Sequence, residues 1–203
     1  MSSLSFEAKR LLVLYRKFYG KNYSAVKSNN QNAHVMAQKM CYLLGLVGVD
    51  AGDYGYVWDQ FGPYSEMVQN LVRQLDEDGD IVKEFYDKYP EGTASDEIFF
   101  SDDPNPESLF RKRDLQRVEA LQPSLDFPID NDSVDEFGDT PMRRWAELLG
   151  SVAYISQSVL PGKGPKALID ELTAVKEKYN SKEETDKALR VLREAKLLTC
   201  IEF

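Results

Sequence analysis

The stretch "VWDQFGPYSEMVQNLVRQLDEDGD", Val57 to Asp80, decides the fold, because an aromatic, β-branched run passes through a Gly-Pro pair into a helical pattern. Tyr56–Phe61 reads as a short strand. Gly62 bends the chain, and Pro63 suits the first helical position, where a missing N–H costs nothing. Tyr64, Met67, Val68, Leu71, Val72 and Leu75 then recur as one apolar stripe, which Gly79 ends as a cap. "DIVKEFY" (Asp80–Tyr86) reads as a strand that pairs with the first one or with "DEIFF" (Asp96–Phe100), so a small antiparallel sheet is expected.

On the N-terminal side, Leu11, Leu12, Tyr15, Phe18 and Tyr19 mark a helix over Phe6–Tyr19 with Gly20 as its stop, and polar Lys21–Asn32 reads as a loop. A second helix starts near Asn32, its expected cap, with Met36, Met40, Leu43, Leu44 and Val47 facing a core. On the C-terminal side a helix over Pro106–Leu121 leads to "QPSLDFPIDNDSVDEFGD", an acidic stretch read as an exposed connection. Thr140–Pro141 opens a helix with Trp145, Leu148, Leu149, Val152 and Ser156 on one stripe. "PGKG" (Pro161–Gly164) breaks it, and two helices follow over Pro165–Tyr179 and Ser181–Leu198, the last with a Ser181/Glu184 capping box. The fold class is therefore mainly α (α+β): an N-terminal helical unit with a small β-sheet over 1–125, an acidic connection over 126–139, and C-terminal helices over 140–203 packed on the first unit as one domain.

A formal charge of −9 and a pI near 4.8 repel phosphate backbones and anionic lipid, so nucleic acid is disfavoured as a partner. The densest basic run, "FRKRDLQR" (Phe110–Arg117), would fan its charges around several helix faces. No run nears the roughly 18 apolar residues of a membrane span. The first twenty residues lack a secretory pattern, and Cys41 and Cys200 have no metal spacing, so reduced thiols in a cytoplasmic protein are expected.

Motifs for chemistry fail one by one. His34 is the single histidine and has no nucleophile in local reach, so neither a catalytic triad nor a zinc site is expected. "DEDGDIVKEFYD" (Asp76–Asp87) begins like a calcium loop, but Ile81 holds its glycine position; "DNDSVDEFGD" (Asp130–Asp139) departs at Val134 and Asp135. "PGKGPK" lacks the preceding strand and the Ser or Thr of a phosphate loop, and "GPYSE" lacks the last glycine of a nucleophile elbow. Glu66 occupies the first turn of the third helix, which leaves no free anion site there. No cofactor, no metal and no catalytic residue are expected.

"AQKMCYLLGLVGVD" (Ala37–Asp50) followed by "YVWDQFGPYSEMVQNLVRQLDEDGDIV" (Tyr56–Val82) resembles the YwgA-like proteins, related to the SocA-like, or Panacea, antitoxin domain. The shared pattern is Gln38, Lys39, Met40 and Tyr42 on a helix, then a strand running into aromatic-Gly-Pro-Tyr-Ser. Residues 33–86 carry it best, with "WAELLGSVAYI" and "KALRVLREAKLL" similar to the helical C-terminal part. The resemblance implies a mainly helical domain with a small hairpin and no established catalysis; Panacea-type domains neutralise toxin proteins by binding them. The leading expectation is a non-enzymatic, cytoplasmic protein–protein interaction module, antitoxin-like or an adaptor, whose partner is another protein such as a toxin. Its partner-binding candidates are Gln38, Lys39, Tyr42, Trp58, Tyr64 and Ser65, each of which also fits a packing or solvated role. The competing expectation is a winged-helix-like transcriptional regulator that binds DNA, suggested by helix-to-strand ends such as "LVRQLDEDGDIV" and "VLREAKLLTCIEF".

Overall fold

A computed structural model describes residues 5–19, 30–49, 54–60, 62–77, 106–128, 135, 139–175 and 181–198. Two helices with unusually continuous burial form the axis of the fold. In α2 (Asn30–Leu46) every residue from Val35 to Leu44 is buried, and in α6 (Pro141–Tyr154) every residue from Trp145 to Ala153 is buried. A one-face stripe had been expected for each; a helix enclosed on all sides belongs instead in the interior. The two pack against each other, and the other elements wrap them.

Helix α1 (Phe6–Tyr19) lies against α2, α3 (Glu66–Glu77), the short α4 (Pro106–Leu109) and α5 (Lys112–Ser124). Its buried side chains are Ala8, Leu11, Val13, Leu14 and Phe18, while Leu12 and Tyr15 are only half-buried, so the core stripe is rotated from the expected one. Helix α8 (Lys182–Glu194) packs on α6, and α7 (Pro165–Val175) bridges α6 and α8. One hydrophobic core runs from Ala8 to Leu197, and α6 reaches into the middle of it. The chain is thus mainly α with a small two-stranded antiparallel sheet among the described residues, as its patterning implies.

The sheet differs from expectation in its pairing. β1 (Val57–Asp59) pairs with β2 (Gly62–Tyr64) in register Val57 to Tyr64, Trp58 to Pro63 and Asp59 to Gly62. Pro63 therefore lies in a strand, not in the first helical turn, and α3 begins three residues beyond the expected start, after Ser65. Ser65 Oγ accepts from the Val68 N–H at 3.4 Å, so a hydroxyl N-cap outcompetes a proline start. Val68, Leu71 and Val72 are buried, but Met67 is exposed and falls off the predicted stripe. The segments Asp80–Tyr86 and Asp96–Phe100, the cap at Gly79 and Cys200 lie outside the described residues.

The expected helix over Pro106–Leu121 is broken at Phe110 and Arg111, where Arg111 adopts an extended backbone (φ −65°, ψ 137°). Arg111 Nε donates to the buried Asp114 carboxylate at 2.6 Å, which ties the new helix start to its first turn. Further along, Arg117 reaches the carbonyls of Val47 and Gly48, both at 3.4 Å, just past the C-terminus of α2. The basic run thus serves helix ends.

The acidic connection is not uniformly exposed either. Asp139 is buried and pairs with Arg143 Nε at 3.0 Å, and Asp135 accepts from the Asp139 N–H (2.9 Å) and from Arg144 (3.0 Å). Thr140 caps α6 as expected by accepting from the Arg143 N–H at 3.3 Å, with Pro141 in the first turn. Ser181 caps α8 in the same way by accepting from the Glu184 N–H at 3.3 Å. The Glu184 carboxylate accepts from Arg144 at 3.0 Å, so only half of the expected reciprocal box forms and the other half joins α8 to α6.

Candidate functional site

Proline at position 63 settles the hydrogen bonding of the hairpin. Lacking an N–H, Pro63 cannot be a hydrogen-bonded partner of Trp58, so the ladder bonds fall on the Val57–Tyr64 and Asp59–Gly62 pairs. The Pro63 carbonyl then points away from β1, toward α2, and Lys39 Nζ donates to it at 2.8 Å. One residue earlier on α2, the Gln38 carboxamide grips Ser65 from both sides. Its Nε2 donates to the Ser65 carbonyl and its Oε1 accepts from the Ser65 N–H, each at 2.9 Å. Two consecutive side chains thereby satisfy the inner edge of β2 as a neighbouring strand would.

The grip is tight because α6 leaves room only for glycine. A Cβ on Gly62 would stand 2.5 Å from Ser151 Oγ and 3.6 Å from Lys39 Nζ, and Gly62 has φ +87°, so both space and backbone demand glycine. A Cβ on Gly150 would meet Lys39 Cδ at 2.8 Å, which shows how closely the lysine stem crosses α6. Glu147 and Ser151, one turn apart on α6, are both fully buried. Ser65 Oγ donates to the Tyr54 carbonyl at 2.5 Å, fastening the approach to β1 as well as capping α3.

Above this clamp sits a cluster of rings. Tyr42 meets Tyr56 edge-on (centroids 5.1 Å apart) and Tyr154 at 5.7 Å; Tyr54 meets Tyr56 at 6.3 Å; Trp58 lies against Tyr154 at 5.6 Å. Such offset and edge-on pairs hold ring positions beyond what area burial alone gives. Burial pushes the Tyr42 hydroxyl up to about 12, opposed by a hydrogen bond from Ser158 and helped by Tyr154. Burial likewise raises Tyr56, with Cys41, Tyr54 and Tyr42 adding to the rise, and pushes the neighbouring Cys41 thiol up to about 12. All three groups stay protonated at neutral pH. The Tyr56 hydroxyl also reaches the Gln38 carbonyl at 3.4 Å, connecting the rings to the clamp.

The six candidate residues therefore divide. Gln38, Lys39, Tyr42 and Ser65 are buried and face the protein's own backbone and rings, so they build the site from beneath and offer no surface to a partner. Trp58 and Tyr64 are half-buried and remain at its outer side. Sequence reasoning missed Val57, which is 56% exposed, and Tyr54, Tyr56 and Tyr154. The period-two series Tyr54, Tyr56, Trp58 was a signal available in the sequence; nothing local announces Tyr154, which arrives from another helix. His34 is half-buried on α2. Among the described residues no group of three or more His, Cys, Asp or Glu could hold a metal ion, and no helix is long and apolar enough to cross a membrane. Most of the calcium-like stretch that begins at Asp76 lies outside them.

The arrangement is suited to recognition by packing: aromatic faces and an exposed aliphatic side chain on a hairpin whose far side is held by buried polar bonds. No protein family, curated protein or solved structure matches this chain.

Proposed function

We propose that this chain is a non-enzymatic protein-binding module of the cytoplasm that presents its hairpin and ring cluster to another protein. The observation that carries the reading is the cross-strand pair of exposed Val57 and half-buried Tyr64, with half-buried Trp58 beside them, on a strand pair clamped from below by Gln38 and Lys39. A platform fixed in advance loses little conformational freedom on binding, and Trp and Tyr are the side chains that most often anchor interfaces. The acidic balance of −9 favours a partner with basic groups at the rim of such a contact. The resemblance to the SocA-like domain supports an antitoxin or adaptor role, with a toxin as the first partner to test.

The direct experiment places a photo-crosslinking amino acid at Val57 in the host and identifies the protein captured. That protein, purified, should bind the natural chain and bind Val57→Asp at least tenfold more weakly, while the variant keeps its thermal stability. Co-expression with the products of neighbouring genes tests the antitoxin role through rescue of growth. A partner that binds both chains equally, or no specific partner in either assay, would overturn the reading.

A further inference from the structure

We infer that the π-helical turn closing α6 is a two-register joint that couples the ring cluster to the chain segment leaving α8. The turn, Ile155–Val159, has one residue more than an α-helical turn, and the Leu160 N–H bonds to the Ile155 carbonyl at 2.8 Å. In an α-helical register the same N–H would bond to Ser156 instead. Ser156 Oγ donates back to the Ala153 carbonyl at 2.9 Å, a side-chain bond of the kind that loosens and bends a helical ladder, at the point where the wide turn begins.

Both ends of this short turn are engaged with different parts of the molecule. Tyr154, immediately before it, packs on Trp58 and on Tyr42, and Ser158 within it shares a hydrogen bond with the Tyr42 hydroxyl. Gln157, the adjacent residue, donates Nε2 to the Leu197 carbonyl at 2.7 Å, beyond the end of α8. A change of register rotates Gln157 and Ser158 relative to Tyr154, so it breaks the two attachments together. The turn that follows supplies the slack for it: Gly162 has φ +74°, Gly164 follows two residues later, and both have open space around them. The position of the segment after α8 and the packing of the rings are thus alternative readings of one backbone state. This coupling is a property of the free protein and stands independently of the partner-binding role.

Amide hydrogen exchange on the full chain tests it, with the Val118 amide in α5 as the reference for global opening. Tyr42→Phe, which removes one hydroxyl at the rings, should raise exchange at the Leu197 amide at least fivefold relative to Val118. Gln157→Leu should raise exchange at the Val57 amide by a similar factor. Deleting Val159, which forces the α register, should produce both effects at once. Changes confined to the mutated end overturn the inference, and so do changes that merely track Val118. Should the deletion variant not fold, the two point variants decide.

Discussion

Two regions of this molecule bury polar groups, one along a strand edge and the other at the start of a helix. Under the hairpin, Lys39 and Gln38 bond the peptide groups of Pro63 and Ser65 at 2.8–2.9 Å, closed in by Gly62, Gly150 and Ser151, with Glu147 buried one turn before Ser151. At the N-terminus of α6, charge meets charge: Asp139 with Arg143 in the interior, then Arg144 between Asp135 and Glu184 at the half-exposed rim. Bonds to backbone fix one strand at one register and ignore salt. Ion pairs tolerate small shifts and weaken toward solvent, which suits the docking of successive segments onto a helix end.

The comparison can be broken most forcefully at Lys39. Lys39→Ala removes a fully buried stem and leaves the Pro63 carbonyl without its donor, so a loss of about 4 kcal/mol is expected in urea unfolding. Lys39→Met, which keeps the stem, should lose about half of that. Arg143→Met takes a cation from the buried Asp139 carboxylate and should cost about 3 kcal/mol, a loss that double replacement with Asp139→Asn partly restores. Gly62→Ala should cost about 2–3 kcal/mol through its contact with Ser151 and its positive φ, and Ser151→Ala should recover part of this in a double-mutant cycle.

Alkali separates the two regions in a different way. Cys41 titrates at 9.0 when unfolded and near 12 when folded, so its contribution to stability is complete below pH 9 and is lost as pH rises toward 12. Tyr42 behaves alike between 10 and about 12. Cys41 alone accounts for about 2 kcal/mol of lost stability at pH 10.5, and Cys41→Ala should flatten the profile measured by urea titration in a Cys200→Ser background. The smallest effect belongs to the rim: Arg144→Ala should cost below about 1 kcal/mol at low salt and almost nothing in 0.5 M NaCl. An Arg144→Ala loss that does not respond to salt would erase the distinction drawn between the regions.

Much of this architecture is legible along the chain because its signals are local. Thr140–Pro141 and Ser181 announce helix starts that form as read, and the helical periodicity places α1, α2, α3 and α6 in the right segments. The errors arise where a distant residue decides. Pro63 fits a first helical turn and a strand edge equally well, and what selects the strand is Lys39 and Gln38, 24 and 27 residues away from their partners. Those two residues look like a wet helix face in sequence because polar side chains usually are one; the peptide groups of Pro63 and Ser65 offset the cost of burying them. Likewise the inward half of the acidic connection becomes visible only once Arg143 and Arg144 are placed opposite it. The six candidate residues fall on and beneath one hairpin, and only the packing of α2 and α6 separates the inner members from the outer ones.

Trp145 gives the molecule a second voice besides Trp58. Its indole N–H donates to the Leu125 carbonyl at 2.8 Å, so the buried ring is held dry, with the Lys187 ammonium, itself paired with Asp126 at 2.7 Å, 4.8 Å from its centre. The chain has no tryptophan other than these two, and Trp58 is reached by solvent. Iodide should therefore quench one emission component and spare the other, which makes the natural protein its own two-channel optical reporter: one channel for what touches the hairpin, the other for the integrity of the helical core.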